Sequence, residues 1–336
     1  IFATDYNAKV IITGGTITKN TAMWGGGIYL FNAAQMTMSD SAVISENTAN
    51  SNGGGVFLNQ SANVSGVGIV KPTLTMTGGN IEGNTATGNG GGICEARGSV
   101  VDISGGTVKN NKSSHGAGIF IGDVSNATFS DGVITGNTAT GYGGVYACES
   151  RETTFTMTGG VIGGSGNGNS SGEEGGGIFS SGGTTKCYIR SAEISYNTAS
   201  GSGGGIFSGY GAELQVGRQG NSTVGNGPVI AHNTSSVSGG GIRANGGGNN
   251  ESDRGGTTTI YGALIDGNTA NGTYGGGISV QDSVGGGSIF SMSYTRVINN
   301  YVGNLRPDGN SIGGGVSIKN NDNGNGTAVP TFSNNQ

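Results

Sequence analysis

Leu74-Thr75-Met76-Thr77-Gly78-Gly79-Asn80-Ile81-Glu82-Gly83-Asn84-Thr85-Ala86-Thr87-Gly88-Asn89-Gly90-Gly91-Gly92-Ile93 is one full copy of a pattern that runs the length of the chain. Three short segments within it have period two: Thr73 to Thr77, the neighbourhood of Ile81 and that of Ile93. Gly and Asn turns separate them, and no helical 3.6-residue periodicity intervenes. The closing phrase, roughly I-x-x-N-T-A then a glycine triplet and Ile or Val, recurs ten times. Its copies end at Ile28, Val56, Ile93, Ile119, Val145, Ile178, Ile206, Ile242, Ile278 and Val316, 26 to 38 residues apart. A fixed phrase at elastic spacing describes one supersecondary unit stacked on copies of itself, with loops absorbing the differences. The expected fold is all-β: a right-handed parallel β-helix, a solenoid of about ten coils with three short strands per coil, forming a single domain over residues 1–336. Stacked at ~4.8 Å, such coils make a rod on the order of 50 Å long.

Each recurring residue type has a structural reason. Asn20, Asn47, Asn84, Asn111, Asn137, Asn197, Asn233, Asn268 and Asn300 fall three residues after an Ile or Val. Asn suits a tight bend, and stacked amides pair as a ladder. The sixth coil is expected to lack this residue, because Ile162-Gly163-Gly164-Ser165 enters a Gly/Ser-rich insertion. The glycines supply positive φ or a corner where a Cβ would crowd the next coil. Ile12, Met38, Met76, Ile103, Phe129, Met157, Ile189 and Ile260 share a column expected in the core. Thr37, Thr75, Asp102, Thr128, Thr156, Tyr188 and Thr259 then form an outward face made mostly of hydroxyls.

Composition narrows the function classes. The 336 residues include 74 Gly and only 4 Pro, with a formal charge of −5 and a pI near 5.0. That balance gives no reason to expect nucleic acid or an anionic membrane as partner. No apolar run approaches a membrane span, and no secretion signal is visible at the start. Three cysteines do not make a disulfide framework. A start at Ile1, and a first-strand pattern at Thr327 to Ser333 without a polar cap, point to a piece of a longer protein.

Glycine triplets followed by Ile or Val, alternating with a short motif ending in Asn, resemble the G-G-A-I and F-x-x-N repeats of the chlamydial polymorphic outer-membrane proteins. They are similar also to glycine-rich β-helix repeats of large surface proteins in gut Firmicutes and methanogens. The resemblance runs from Ile11 to about Ile318, with Ile or Val in place of the aromatic, as in Ile44-Ser45-Glu46-Asn47. It implies a secreted, surface-displayed adhesin or passenger segment, or a stalk, whose partner is a polysaccharide or a cell-surface glycoprotein. It implies no catalytic residue.

Candidate binding residues lie one position after the closing Ile or Val. That column reads Tyr29, Phe57, Cys94, Phe120, Tyr146, Phe179, Phe207, Arg243, Ser279 and Ser317. Alternation turns it outward, so an exposed aromatic stripe ending at Arg243 is expected, with cover by the chain's own loops as the alternative. Two tetrapeptides, Cys94-Glu95-Ala96-Arg97 and Cys148-Glu149-Ser150-Arg151, are read as equivalent places two coils apart. Glu95, Arg97, Asp123, Glu149 and Arg151 are then a charged surface patch at one turn.

A carbohydrate-active enzyme, a polysaccharide lyase or glycoside hydrolase, is the competing function. It needs facing carboxylates, or carboxylates with a base, on neighbouring coils. The outward face offers chiefly Thr and Ser, and the basic residues are scattered, so no catalytic residue is assigned. His115 and His232 sit in separate turns. No metal site and no cofactor are assigned, the Asn/Asp-Gly stretches being only faintly like Ca²⁺ loops. Insertions after the glycine strand (Asn59 to Pro72, Asn245 to Gly256, Gln281 to Gly287) or after the Asn turn (Ser165 to Glu174, Tyr301 to Ile312) are where a repeat protein carries a binding surface.

Overall fold

The computed structural model describes all residues except 148–151, 246–255, 282–288, 304–312, 320–328, 334 and 336, and gives the backbone alone for 146–147 and 329–331. Among the described residues there is no helix, and almost every strand pairing is parallel between one coil and the next. The chain is a parallel β-helix.

The coil that opens at Thr73 shows the course. Thr73–Met76 and Asn80–Glu82 lie in a 19-stranded sheet, Thr85–Ala86 in a 10-stranded sheet, and Ile93–Ala96 in an 11-stranded sheet. The two-residue Thr-Ala ladder was not foreseen. It is too short for a period-two pattern and is held by its neighbours, as in Thr48↔Thr85 and Ala49↔Ala86.

Period-two alternation builds the core. Met38, Met76 and Ile103 are Cα partners on successive coils, and all three are buried. The closing Ile or Val of each glycine phrase and the residue two later also point inward. One continuous apolar core results, running from Ile28 to Met292. Full burial of each such side chain stabilises by roughly 1.5–3 kcal/mol.

The asparagines form the expected ladder. Asn47 Nδ2 donates to Asn84 Oδ1 at 3.0 Å and to the Ile17 carbonyl at 2.9 Å, while the Asn47 amide donates to the same Oδ1 at 3.0 Å. The sixth coil does not lack its rung. Asn169 accepts from Asn137 Nδ2 at 2.9 Å and donates to Asn197 Oδ1 at 2.9 Å. The insertion after Ile162 delays the residue to seven positions on, so a three-residue rule missed it.

Both roles assigned to glycine hold. Gly53 has φ 71°, and a Cβ there would stand 2.5 Å from Phe57 Cβ. A Cβ on Gly54 would stand 2.4 Å from the Gly91 carbonyl oxygen of the next coil. The first glycine turns the chain, and the second lets two coils touch.

Candidate functional site

The column after the closing Ile or Val points away from the core, as alternation requires, and runs in register from Tyr29 through Phe57, Cys94, Phe120, Tyr146, Phe179 and Phe207 to Arg243 and Ser279. It is nevertheless not an exposed stripe. Phe57, Phe120, Phe179 and Phe207 are 4%, 8%, 3% and 3% exposed, and Arg243 is 6% exposed. The side chain of Tyr146 lies outside the described residues. Two contacts cover the column. The backbone of each glycine triplet folds back against it, and the rings close on one another along the axis. Phe179 and Phe207 stack with centroids 5.1 Å apart and planes 6° apart, and Tyr29 and Phe57 stack at 5.1 Å. Phe57, Cys94, Phe120, Phe179 and Phe207 make a second, smaller core, with Tyr29, Ala96 and Tyr142 packed against it.

Arg243 follows the rings in this column as a buried cation whose two terminal nitrogens are hydrogen-bonded, while its Nε has no partner among the described residues. It donates to Ser238 Oγ at 3.1 Å, to Ser279 Oγ at 2.8 Å and to Gln281 Oε1. Burial lowers its pKa to about 10, against the opposing influence of Glu174. It is held for packing and is not displayed.

Of the charged patch read at this turn, Arg97 and Asp123 line one groove, while Glu95 is not at the surface. Glu95 shares strand parity with Ile93 and points into the core between its Cα partners Leu58 and Ile121. Its carboxyl is fully buried and neither oxygen has a hydrogen-bond partner among the described residues. Burial first, and the negative charge of Asp102 second, hold its pKa well above the usual carboxylate range. The second tetrapeptide, residues 148–151 with Glu149 and Arg151, lies outside the described residues. Cys94 and Cys187 are buried, and burial pushes the Cys187 thiol up to about 12.

What the fold does bring together lies on the first four coils. A groove of about 330 Å³ is lined by Trp24, Tyr29, Asn52, Phe57, Asn59, Ala96 and Arg97. Trp24 is half exposed and Tyr29 partly so, which leaves ring surface open at this end of the column. Asn59 Nδ2 donates to the Tyr29 hydroxyl at 3.2 Å, while Asn59 Oδ1 has no partner. Asn52 Oδ1 accepts from the Asn89 amide at 2.9 Å, which fixes the side chain at the rim. A second groove, about 470 Å³, is lined by Ser61, Ile69, Lys71, Arg97, Gly98, Asp123 and Val124. One wall is the antiparallel hairpin Ala62–Val64 and Gly68–Val70, inserted after the second coil. Arg97 lines both grooves.

Of the residues read from the sequence, Tyr29, Phe57, Arg97 and Asp123 therefore meet at grooves. Trp24, Asn52, Asn59 and Lys71 were missed. The sole tryptophan of the chain, placed beside a glycine triplet, and the insertion at Asn59 to Pro72 were the signals available.

A polar cluster sits further along the same ledge, in the turns that precede the glycine triplets. Tyr142 stacks on Phe179 with centroids 4.3 Å apart, and its hydroxyl hydrogen-bonds Glu173, which raises its pKa. Burial, then the like charge of Glu173, raises the pKa of Glu174, while Arg243 draws it back. His115 stacks on Tyr142 at 5.3 Å, and His232 packs on Tyr196 at 4.9 Å, so the histidines serve different turns. No group of three or more His, Cys, Asp or Glu able to hold a metal occurs among the described residues. On the hydroxyl face, Arg190 lies over the Tyr188 ring at 4.6 Å.

Comparison with known proteins finds no match among family models, curated proteins or solved structures.

Proposed function

We propose that this chain is a secreted, surface-displayed β-helix that binds glycans as an adhesin or passenger segment, with the groove at Trp24 and Tyr29 as its site. The supporting observation is the composition of that groove: two part-open aromatic rings flanked by two asparagine amides and a guanidinium. Sugar rings present apolar C–H faces and a rim of hydroxyls. Aromatic faces bury the former, and fixed amides bond the latter at a small entropic cost. The likeness of the repeats to those of chlamydial and other surface proteins supports the same reading, with a polysaccharide or cell-surface glycoprotein as partner.

A glycan array probed with the purified chain tests it. Reproducible hits lost in Trp24→Ala are expected, with the fold unchanged by circular dichroism because Trp24 is half exposed. An array without hits leaves a stalk.

The second reading, a carbohydrate-active enzyme, is favoured by Tyr142, Glu173, Glu174 and Arg243 lying within electrostatic reach of one another. Cleavage of a bound glycan that disappears in Glu174→Gln is the outcome that would decide for it.

A further inference from the structure

Resting on the glycan-binding reading, we infer that the ligand is an acidic oligosaccharide, its anionic group, a carboxylate or sulfate, bound by Arg97 with Lys71 beside it. Basic residues are scattered along the sequence, yet folding brings these two, 26 positions apart, to one groove. The hairpin insertion delivers Lys71, and the turn after Ile93–Ala96 delivers Arg97.

The backbone at Arg97 is fixed while its side chain is uncommitted. Arg97 holds φ 52°, in the left-handed region. Its carbonyl accepts from the Ser61 amide at 3.2 Å and from Ser61 Oγ at 3.2 Å, and the next amide, of Gly98, donates to the Asp123 carbonyl at 2.9 Å. Coils on both sides therefore pin the turn. The guanidinium makes no ion pair or hydrogen bond among the described residues, and neither does the Lys71 ammonium. A planar guanidinium on a pinned backbone and free of partners among the described residues suits bidentate capture of a carboxylate or sulfate.

Position then assigns the rest of the ligand. Arg97 lines both grooves, so an anion bound to it lies beside the Trp24 and Tyr29 rings on one side and beside Lys71, Ile69 and Val124 on the other. Asp123 is the one acidic side chain in the two linings and offsets one of the two cations. The site is thus a local cationic spot on a chain of net charge −5.

Calorimetric titration of the full chain with three hexasaccharides tests the inference: a hexagalacturonate, its carboxyl-reduced neutral counterpart, and a sulfated galactan hexamer. At least one acidic probe is expected to bind about tenfold or more tighter than the neutral one, since one charge-assisted contact is worth roughly that factor. The preference should shrink as NaCl rises, through screening. Arg97→Gln should remove the preference, the acidic probes losing about tenfold more affinity than the neutral one, and Trp24→Ala should weaken every probe. Preference for the carboxylated or the sulfated probe identifies the anion. Equal affinity for all three, or a preference unchanged in Arg97→Gln, overturns the inference while the glycan reading stands. No binding by any probe, with no effect of Trp24→Ala, overturns both.

Discussion

Glu95 carries the sharpest residue-level consequence. A carboxyl with no partner, set between Leu58 and Ile121, is tolerated only when protonated. Its folded pKa is raised, and that of the unfolded chain is about 4.3. The stability that goes with the neutral form is therefore complete below about pH 4.3 and is lost as pH rises toward the folded value. Urea unfolding midpoints should fall across that window, and Glu95→Leu should flatten the dependence. At neutral pH the same substitution should raise stability by about 1–3 kcal/mol, the cost of a buried polar group left unpaired. An unchanged pH profile in Glu95→Leu would show that the carboxyl has found a partner. The parity that buries Glu95 was legible, since Ile93 two residues earlier was read as core. Its neighbour Arg97 drew it into a surface patch instead. The column of rings failed for a different reason. Alternation says which face a residue takes, but it does not say that a glycine backbone will fold over that face. Burial of Phe179 and Phe207 depends on the turn made by the preceding triplet, a contact between elements that no single strand encodes.

At the scale of the element, the asparagine ladder and the glycine strand are the units that repeat. Replacing a central rung removes one acceptor that serves two donors. Asn111 donates both its amide and its Nδ2 to Asn137 Oδ1, each at 3.0 Å. Asn137→Ala should therefore cost more than about 2 kcal/mol, as two buried donors are stranded at about 1–3 kcal/mol each. Asn20→Ala, at an exposed end where no earlier rung depends on it, should cost under about 1 kcal/mol. Denaturant melts of the two variants check the ordering, and equal losses would contradict it. The ladder was legible wherever the loop before it had its usual length. At Asn169 the insertion hid the rung, because stacking tests position in space and a fixed offset tests position in the chain. The Thr-Ala ladder went unseen for the opposite reason: two residues carry no period.

For the whole molecule, the division of labour is between coils that build the rod and insertions that decorate it. Each coil touches only its neighbours, so an added loop costs little stability and can take on a role of its own. The hairpin Ala62–Val64 and Gly68–Val70 is such a loop, and it walls the second of two grooves that share Arg97. The location of that site was only half legible, because its rings, amides and cations come from three coils and meet only after the coils have stacked. Trp24 is the sole tryptophan in the chain, so its emission reports on this site alone. Titrating a glycan selected from the array while following that emission is the most direct measurement. Saturable change in Trp24 fluorescence, at the same midpoint as calorimetric binding, is the predicted result. Calorimetric binding with the emission of Trp24 unmoved would place the ligand elsewhere and contradict it.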